Sequence, residues 1–275
     1  YRHFCYFKYS SMDIEKIEEL VKNGQVNVFD EKSRKIIDDF EKPTIYFEKN
    51  LIYLKFSYEL QNDVGNRIKY VMLAIIDRKK QILEIRFDRI GIAYRNSDVF
   101  YKNKIAKILN YLEQNVKIYI QEIDFKAVVD YIKSEKMDIT FLAQRLTRNG
   151  TTAHLEIEDE ANTIPILGEL ESFIQNQKDL FDIDNNTREI RNRLQDLISE
   201  IEIKSDMPFV KILMNKTGIK LGITHNYKGT EYSLFMLYGE LLGEEMMGSV
   251  KEYVIQCYED LRAATSVDAI SAEEV

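Results

Sequence analysis

Tryptophan is absent from this 275-residue chain, and histidine (3), proline (3) and cysteine (2) are scarce. Cys5 and Cys257 sit in apolar, patterned segments near opposite ends of the sequence. That placement gives no support to a disulfide framework and reads as two reduced, buried thiols. With so little proline and only 11 glycines, there is no room for a disordered linker. No apolar run approaches the roughly 20 residues that span a bilayer, and no secretory-type leader precedes the first strand. The expectation is a cytoplasmic protein with no membrane partner. Motifs are missing too. The chain holds no Walker lysine loop, G-x-G-x-x-G, G-x-S-x-G, H-E-x-x-H or C-x-x-C. ATP hydrolysis, dinucleotide binding, α/β-type serine hydrolysis and zinc-finger chemistry lose their support, and no cofactor is expected. Any imidazole chemistry would have to use His3, His154 or His225, and none has a nearby Ser, Cys or Asp at telling spacing.

What the chain does have is lopsided charge. Residues 1–150 carry 27 Lys+Arg against 22 Asp+Glu, while residues 151–275 carry 11 against 24. Within residues 64–150 the basic surplus rises, with 17 cations against 10 carboxylates. Asymmetry of this kind points to two surfaces with different partners. Arg78, Lys79 and Lys80 crowd one hairpin tip, and Arg145 and Arg148 lie on another hairpin. Lys102, Lys104 and Lys107 share one helix, with Tyr94, Tyr101 and Tyr111 nearby in sequence. Such cations among aromatics suit a phosphate backbone. The expected contacts with nucleic acid are therefore Arg78, Lys79, Lys80, Arg145 and Arg148. Because the whole chain is acidic, the expected surface is confined, not a general DNA coat. Opposite charge on the two halves also predicts a homo-oligomer.

Periodicity gives the elements. A strand over Arg2–Tyr9 precedes a helix capped by Ser11, with Ile14, Ile17, Leu20 and Val21 on one face. A short helix is expected over Lys32–Glu41, ended by Pro43. Strands follow at Thr44–Phe47, Leu51–Tyr58, Ile68–Asp77 and Gln81–Ile90. Ser97 and Asp98 open a helix to about Gln114, and Asp124 caps another. Asn149–Gly150 marks a hairpin between Thr140–Thr147 and Thr152–Glu158. Helices over Ile166–Phe181 and Thr187–Ile203 form an αα-hairpin. Three more strands and a long helix over Glu240–Ala264 complete the pattern. Strands cluster apart from helices, so the fold class is α+β. Antiparallel β-blocks are each followed by a long helix, and the αα-hairpin is inserted in the second half. The expected division is a mildly basic half over residues 1–136, an acidic half over 137–264, and a frayed acidic tail over 265–275.

Several strings resemble chemistry. Lys216–Thr217–Gly218 matches a motif of penicillin-recognising serine enzymes, but no Ser-x-x-Lys partner exists, and a turn explains it. Asp182-x-Asp184-x-Asn186 opens like a calcium loop, yet Thr187 and Arg193 occupy the positions that need a bend and a carboxylate. His154, Glu156 and Glu158 alternate along a strand and share a face, a donor set that suits a divalent metal. The plainer reading is the polar side of a half-exposed strand. Asp77 with Glu84 and Arg86 resembles the acidic arrangement of metal-dependent nucleases, but a tight turn at Arg78–Lys80 pairs Asp77 near Gln81 and leaves Glu84 too far along. The sequence therefore reads best as a non-catalytic binding or interaction protein that contacts another protein, itself or nucleic acid. The alternative is a metal-dependent hydrolase or nuclease subunit of a prokaryotic or phage nucleic-acid-processing or defence system.

Overall fold

The computed structural model describes residues 1–30, 32, 39–157, 167–204, 206–239 and 243–273. The helix expected over Lys32–Glu41 falls mostly outside them. The described residues are mixed α+β, with strands mostly antiparallel. They form two compact units. Unit 1 gathers Tyr1–Val128, Asn226–Met236 and Leu241–Gly243, and unit 2 gathers Val129–His225, Leu237–Glu240 and Glu244–Val275.

Unit 1 is built on a sheet whose centre is β1 (His3–Tyr9). On one side lie β6 (Ile82–Phe87), β5 (Arg67–Asp77), β4 (Leu51–Gln61), β3 (Thr44–Glu48) and β2 (Asn27–Val28), in that order outward. The other side of β1 is shared end to end. The first residues of β12 (Leu234–Tyr238) pair with His3 and Phe4, and β7 (Ile120–Glu122) pairs with Phe7–Tyr9. Every pairing here is antiparallel except β2 with β3.

Alternation along these strands gives the sheet two faces. On the first, Cys5, Phe7, Tyr9, Leu83, Ile85, Phe87, Met72, Ala74, Leu54 and Ile45 pack with Ile17 and Leu20 of α1 (Ile14–Lys22). Ile105 and Ile108 of α2 (Phe100–Tyr111) complete that layer. Full burial of each such side chain is worth about 1.5–3 kcal/mol, which makes this layer the main stabilising element of the unit. The cap of α1 is Asp13 and not Ser11: Asp13 Oδ1 accepts the amides of Glu15 and Lys16 at 3.0 and 3.3 Å. Asp13 adjoins the first turn directly, whereas the Ser11 carbonyl is occupied by the Tyr119 amide at 3.1 Å. α2 opens at Phe100, later than Ser97, and passes into a single π-helical turn, Leu112–Val116, that buries both its end residues.

On the second face, Phe4, Tyr6, Phe235 and Phe125 form an aromatic cluster with centroids 4.8–6.2 Å apart. Phe125 opens α3 (Phe125–Glu135), and Asp124 caps it as expected through the Lys126 and Ala127 amides. Beside this cluster sits an ion pair that alternation alone would assign to solvent. Glu84 and Arg86 are 0% and 4% exposed, with Arg86 Nε donating to Glu84 Oε1 at 2.6 Å and Nη2 to Oε2 at 3.1 Å.

Unit 2 holds β8 (Ile139–Arg148), β9 (Thr151–Glu156), β10 (Asp206–Met214) and β11 (Ile219–Thr224), antiparallel in the order β9-β8-β10-β11. Asn149 and Gly150 turn β8 into β9 with φ of 52° and 76°. Lys216–Thr217–Gly218 is the β10–β11 turn, closed by the Gly218 amide on the Met214 carbonyl at 2.8 Å. The first expected helix of the αα-hairpin is broken into α4 (Leu167–Asn176) and α5 (Lys178–Phe181), followed by α6 (Asn185–Lys204). Ile174 and Ile198 meet between them, with Leu146, Phe181, Leu194 and Ile201 around the contact. α7 (Glu244–Glu273) continues past Ala264 and is tied to the segment before β8. Tyr253 donates to Asp138 at 2.8 Å, and Lys136 pairs with Asp260 at 2.9 Å. Among the described residues no helix is long and apolar enough to cross a membrane.

Candidate functional site

The concentration of uncommitted positive charge lies in unit 1, just past the end of β6. The chain leaves Phe87 and is pinned as it goes. Tyr70 donates its hydroxyl to the Asp88 carbonyl at 3.1 Å, and the Ile90 amide donates to the Tyr101 hydroxyl at 2.8 Å. A 3-10 turn at Ile92–Tyr94 then swings Arg95 back, so that its Nε donates to the Ile90 carbonyl at 3.0 Å. The Arg95 guanidinium carbon sits 5.6 Å from the centre of the Tyr101 ring, whose other partner is Phe87 at 5.2 Å. This connection forms one wall of a cleft.

The turn Asn226–Gly229 forms the other wall. Asn226, Lys228 and Gly229 all have positive φ (47°, 53° and 73°), which asparagine and glycine take readily but which costs the lysine about 1–2 kcal/mol. Contacts hold the turn in place. The Gly229 amide donates to the Asn226 carbonyl at 3.0 Å, and Lys102 of α2 donates to the Lys228 carbonyl at 3.1 Å. Left-handed residues locked beside a cavity are the kind of strain that accumulates at binding sites.

The cleft encloses about 440 Å³ and is lined by Arg89, Arg95 and Lys228, with Ser97, Asp98, Tyr101 and Tyr227 among the rest. Neither arginine nor Lys228 makes an ion pair among the described residues. Asp98 is the only carboxylate of the lining. The field reaches the walls. Burial raises the Tyr227 phenol, while Arg89 and then Arg95 pull the other way. Three cations and one carboxylate give the concavity a net positive lining, which favours an anion.

The residues singled out from sequence are placed differently. Arg78, Lys79 and Lys80 form the β5–β6 turn at the opposite end of β6. Asp77 pairs with Ile82, one residue further on than expected, because the turn takes in Gln81 at φ 55°. Asp77 Oδ1 accepts the Lys79 and Lys80 amides, and the Arg78 guanidinium is bound to the Lys49 carbonyl. Arg145 and Arg148 belong to unit 2. Their odd spacing on a regular strand puts them on opposite faces of β8, with Arg145 over Phe209 at 5.7 Å and Arg148 on the side of Leu146. Of the aromatics noted nearby in sequence, Tyr101 lines the cleft and Tyr111 packs against the core. Sequence reasoning missed Arg89, Arg95 and Lys228; the one signal for the arginines was the basic surplus of residues 64–150.

Of the metal-ligand candidates, His154 and Glu156 make contacts of their own. His154 Nε2 lies 3.4 Å from Glu156 Oε2, but Glu156 Oε1 accepts from Lys211 at 2.6 Å, so an ammonium already neutralises that carboxylate. These hydrogen bonds, from Lys211 first, hold its pKa below the usual carboxylate range. Glu158 and Glu160 lie outside the described residues, and no group of three metal-binding side chains forms among those described. Glu156→Gln is expected to shift folding stability by no more than about 1 kcal/mol, as for other exposed pairs. Urea denaturation monitored by circular dichroism checks this, and a larger loss would show that Glu156 has a structural task beyond Lys211.

Compared with known proteins, the chain matches no family model, and no curated protein is detectably similar to it in sequence.

Proposed function

We propose that this chain is a non-catalytic binding protein whose ligand is nucleic acid, gripped through phosphate in the unit 1 cleft. One observation carries this reading: Arg89, Arg95 and Lys228 line a single concavity without anionic partners of their own among the described residues. Unpaired cations held together repel one another, and a bound anion relieves that repulsion. Among the described residues, three of the carboxylates weighed for a hydrolase are otherwise engaged, Glu156 by Lys211, Glu84 by Arg86 and Asp77 by the turn it caps.

Fluorescence anisotropy with single-stranded oligonucleotides at low salt tests the proposal. Dissociation constants of about 1–100 µM are expected, with a log–log salt slope near −2 from two to three phosphate contacts. Arg89→Glu combined with Lys228→Glu should weaken binding at least about tenfold, the effect of losing a charge-assisted hydrogen bond. Arg78→Glu with Lys79→Glu should weaken it much less. No binding up to about 100 µM, or equal losses in the two double variants, would overturn the reading.

A further inference from the structure

We infer that the cleft takes a terminal phosphate monoester carried by a nucleoside, the end of a strand and not its interior. This rests on the phosphate-binding reading above and narrows it.

Charge is the first argument. Three cations and one carboxylate line the cleft, a surplus of two. A terminal phosphate monoester carries about −1.5 to −2 at neutral pH. An internal phosphodiester carries a single charge, so it would leave part of the surplus uncompensated. Shape is the second. A volume of about 440 Å³ falls in the range of about 300–1,000 Å³ that encloses small ligands. The cations converge on that space from two separate stretches of chain, whereas a track for a passing backbone would string them along a groove. Free donors are the third. The Arg89 guanidinium makes no hydrogen bond among the described residues, and Arg95 has committed only its Nε. Ser97 Oγ, on a half-buried residue of the lining, has no hydrogen-bond partner among the described residues. The helix that starts beside it, α2, has no side-chain cap on its first turn. The nucleoside has a wall as well. Tyr101 is already stacked on Phe87, which leaves Tyr227 as the ring for a base.

The experiment compares internally labelled short single strands ending in a 5′-phosphate, a 3′-phosphate or hydroxyls only, with a nucleoside monophosphate and the matching nucleoside as competitors. A strand with a terminal phosphate should bind about tenfold tighter than its hydroxyl counterpart. The two phosphorylated arms show which end is read. That preference should vanish in Arg89→Gln and in Lys228→Asn, since asparagine keeps the left-handed backbone while losing the charge. It should also shrink near pH 5.5, where the monoester, with a second pKa of about 6, regains its proton. Circular dichroism confirms that the variants are folded. Equal affinity for phosphorylated and unphosphorylated strands overturns this inference and leaves nucleic-acid binding standing. Binding of the monophosphate but of no strand overturns both the strand end inferred here and the nucleic-acid reading. If nothing binds, both fall.

Discussion

Arg86→Leu is expected to destabilise folding by about 3–5 kcal/mol, because it takes two hydrogen bonds and the opposite charge away from the fully buried Glu84 carboxylate. Glu84 and Arg86 lie two residues apart on β6, flanked by Tyr6 and Phe4 of β1 and by Ile75 and Leu73 of β5. Their two hydrogen bonds, at 2.6 and 3.1 Å, help compensate two charges taken out of water. Against a typical total stability of about 5–15 kcal/mol, such a loss removes a third or more. Glu84→Leu should cost a similar amount. The double substitution should cost far less than the sum of the two, with a coupling of at least about 2 kcal/mol in a double-mutant cycle. Urea denaturation of the four proteins measures this. Additive losses, or a single loss below about 1 kcal/mol, would mean that the pair is better solvated than its burial indicates.

The second large effect concerns acid. His3 is 3% exposed, stacks on Phe87 at 5.6 Å, and among the described residues has no hydrogen-bond partner on either ring nitrogen. Burial, aided by the field of Arg89, lowers its pKa from 6.5 to about 4. The sign follows from linkage. Between those values the unfolded chain binds the proton and the folded chain does not, so stability falls as pH drops below 6.5 and the loss is complete near 4. A depression of that size amounts to at most about 3 kcal/mol. His3→Phe keeps an aromatic ring on Phe87 and removes the titration. Denaturation across the acid range should show wild type losing about 2–3 kcal/mol more than this variant. Depressed carboxylates such as Asp39 and Asp184 also cost stability in acid, but they do so equally in both proteins. Parallel curves would show that His3 is protonated in place.

How far the sequence alone reached can be read from particular residues. Asp124 and Asn149–Gly150 were legible because a cap and a two-residue turn are decided by neighbours in the chain. Ser11 misled because Asp13, two residues on, competes for the same amides. The buried pairing of Glu84 with Arg86 was not legible, because alternation reports which face a residue takes and says nothing of what lies over that face. The cleft was out of reach for a simpler reason. Its walls come from segments 126 residues apart at the Lys102–Lys228 contact, and only the closed sheet brings them together.

The shared edge of β1 also sets an order of events for a chain made from its amino terminus. Residues 1–128 carry most of unit 1, yet the strand that covers His3 and Phe4 arrives only with residues 234–236, after the bulk of unit 2 has been made. Until then the first half of β1 presents an unpaired edge to anything that offers a strand. Contacts of such long sequence separation close late and slowly. Tyr227 and Lys228 travel with that same late segment, so the nascent chain has half a cleft and gains its ligand site in the step that seals its sheet.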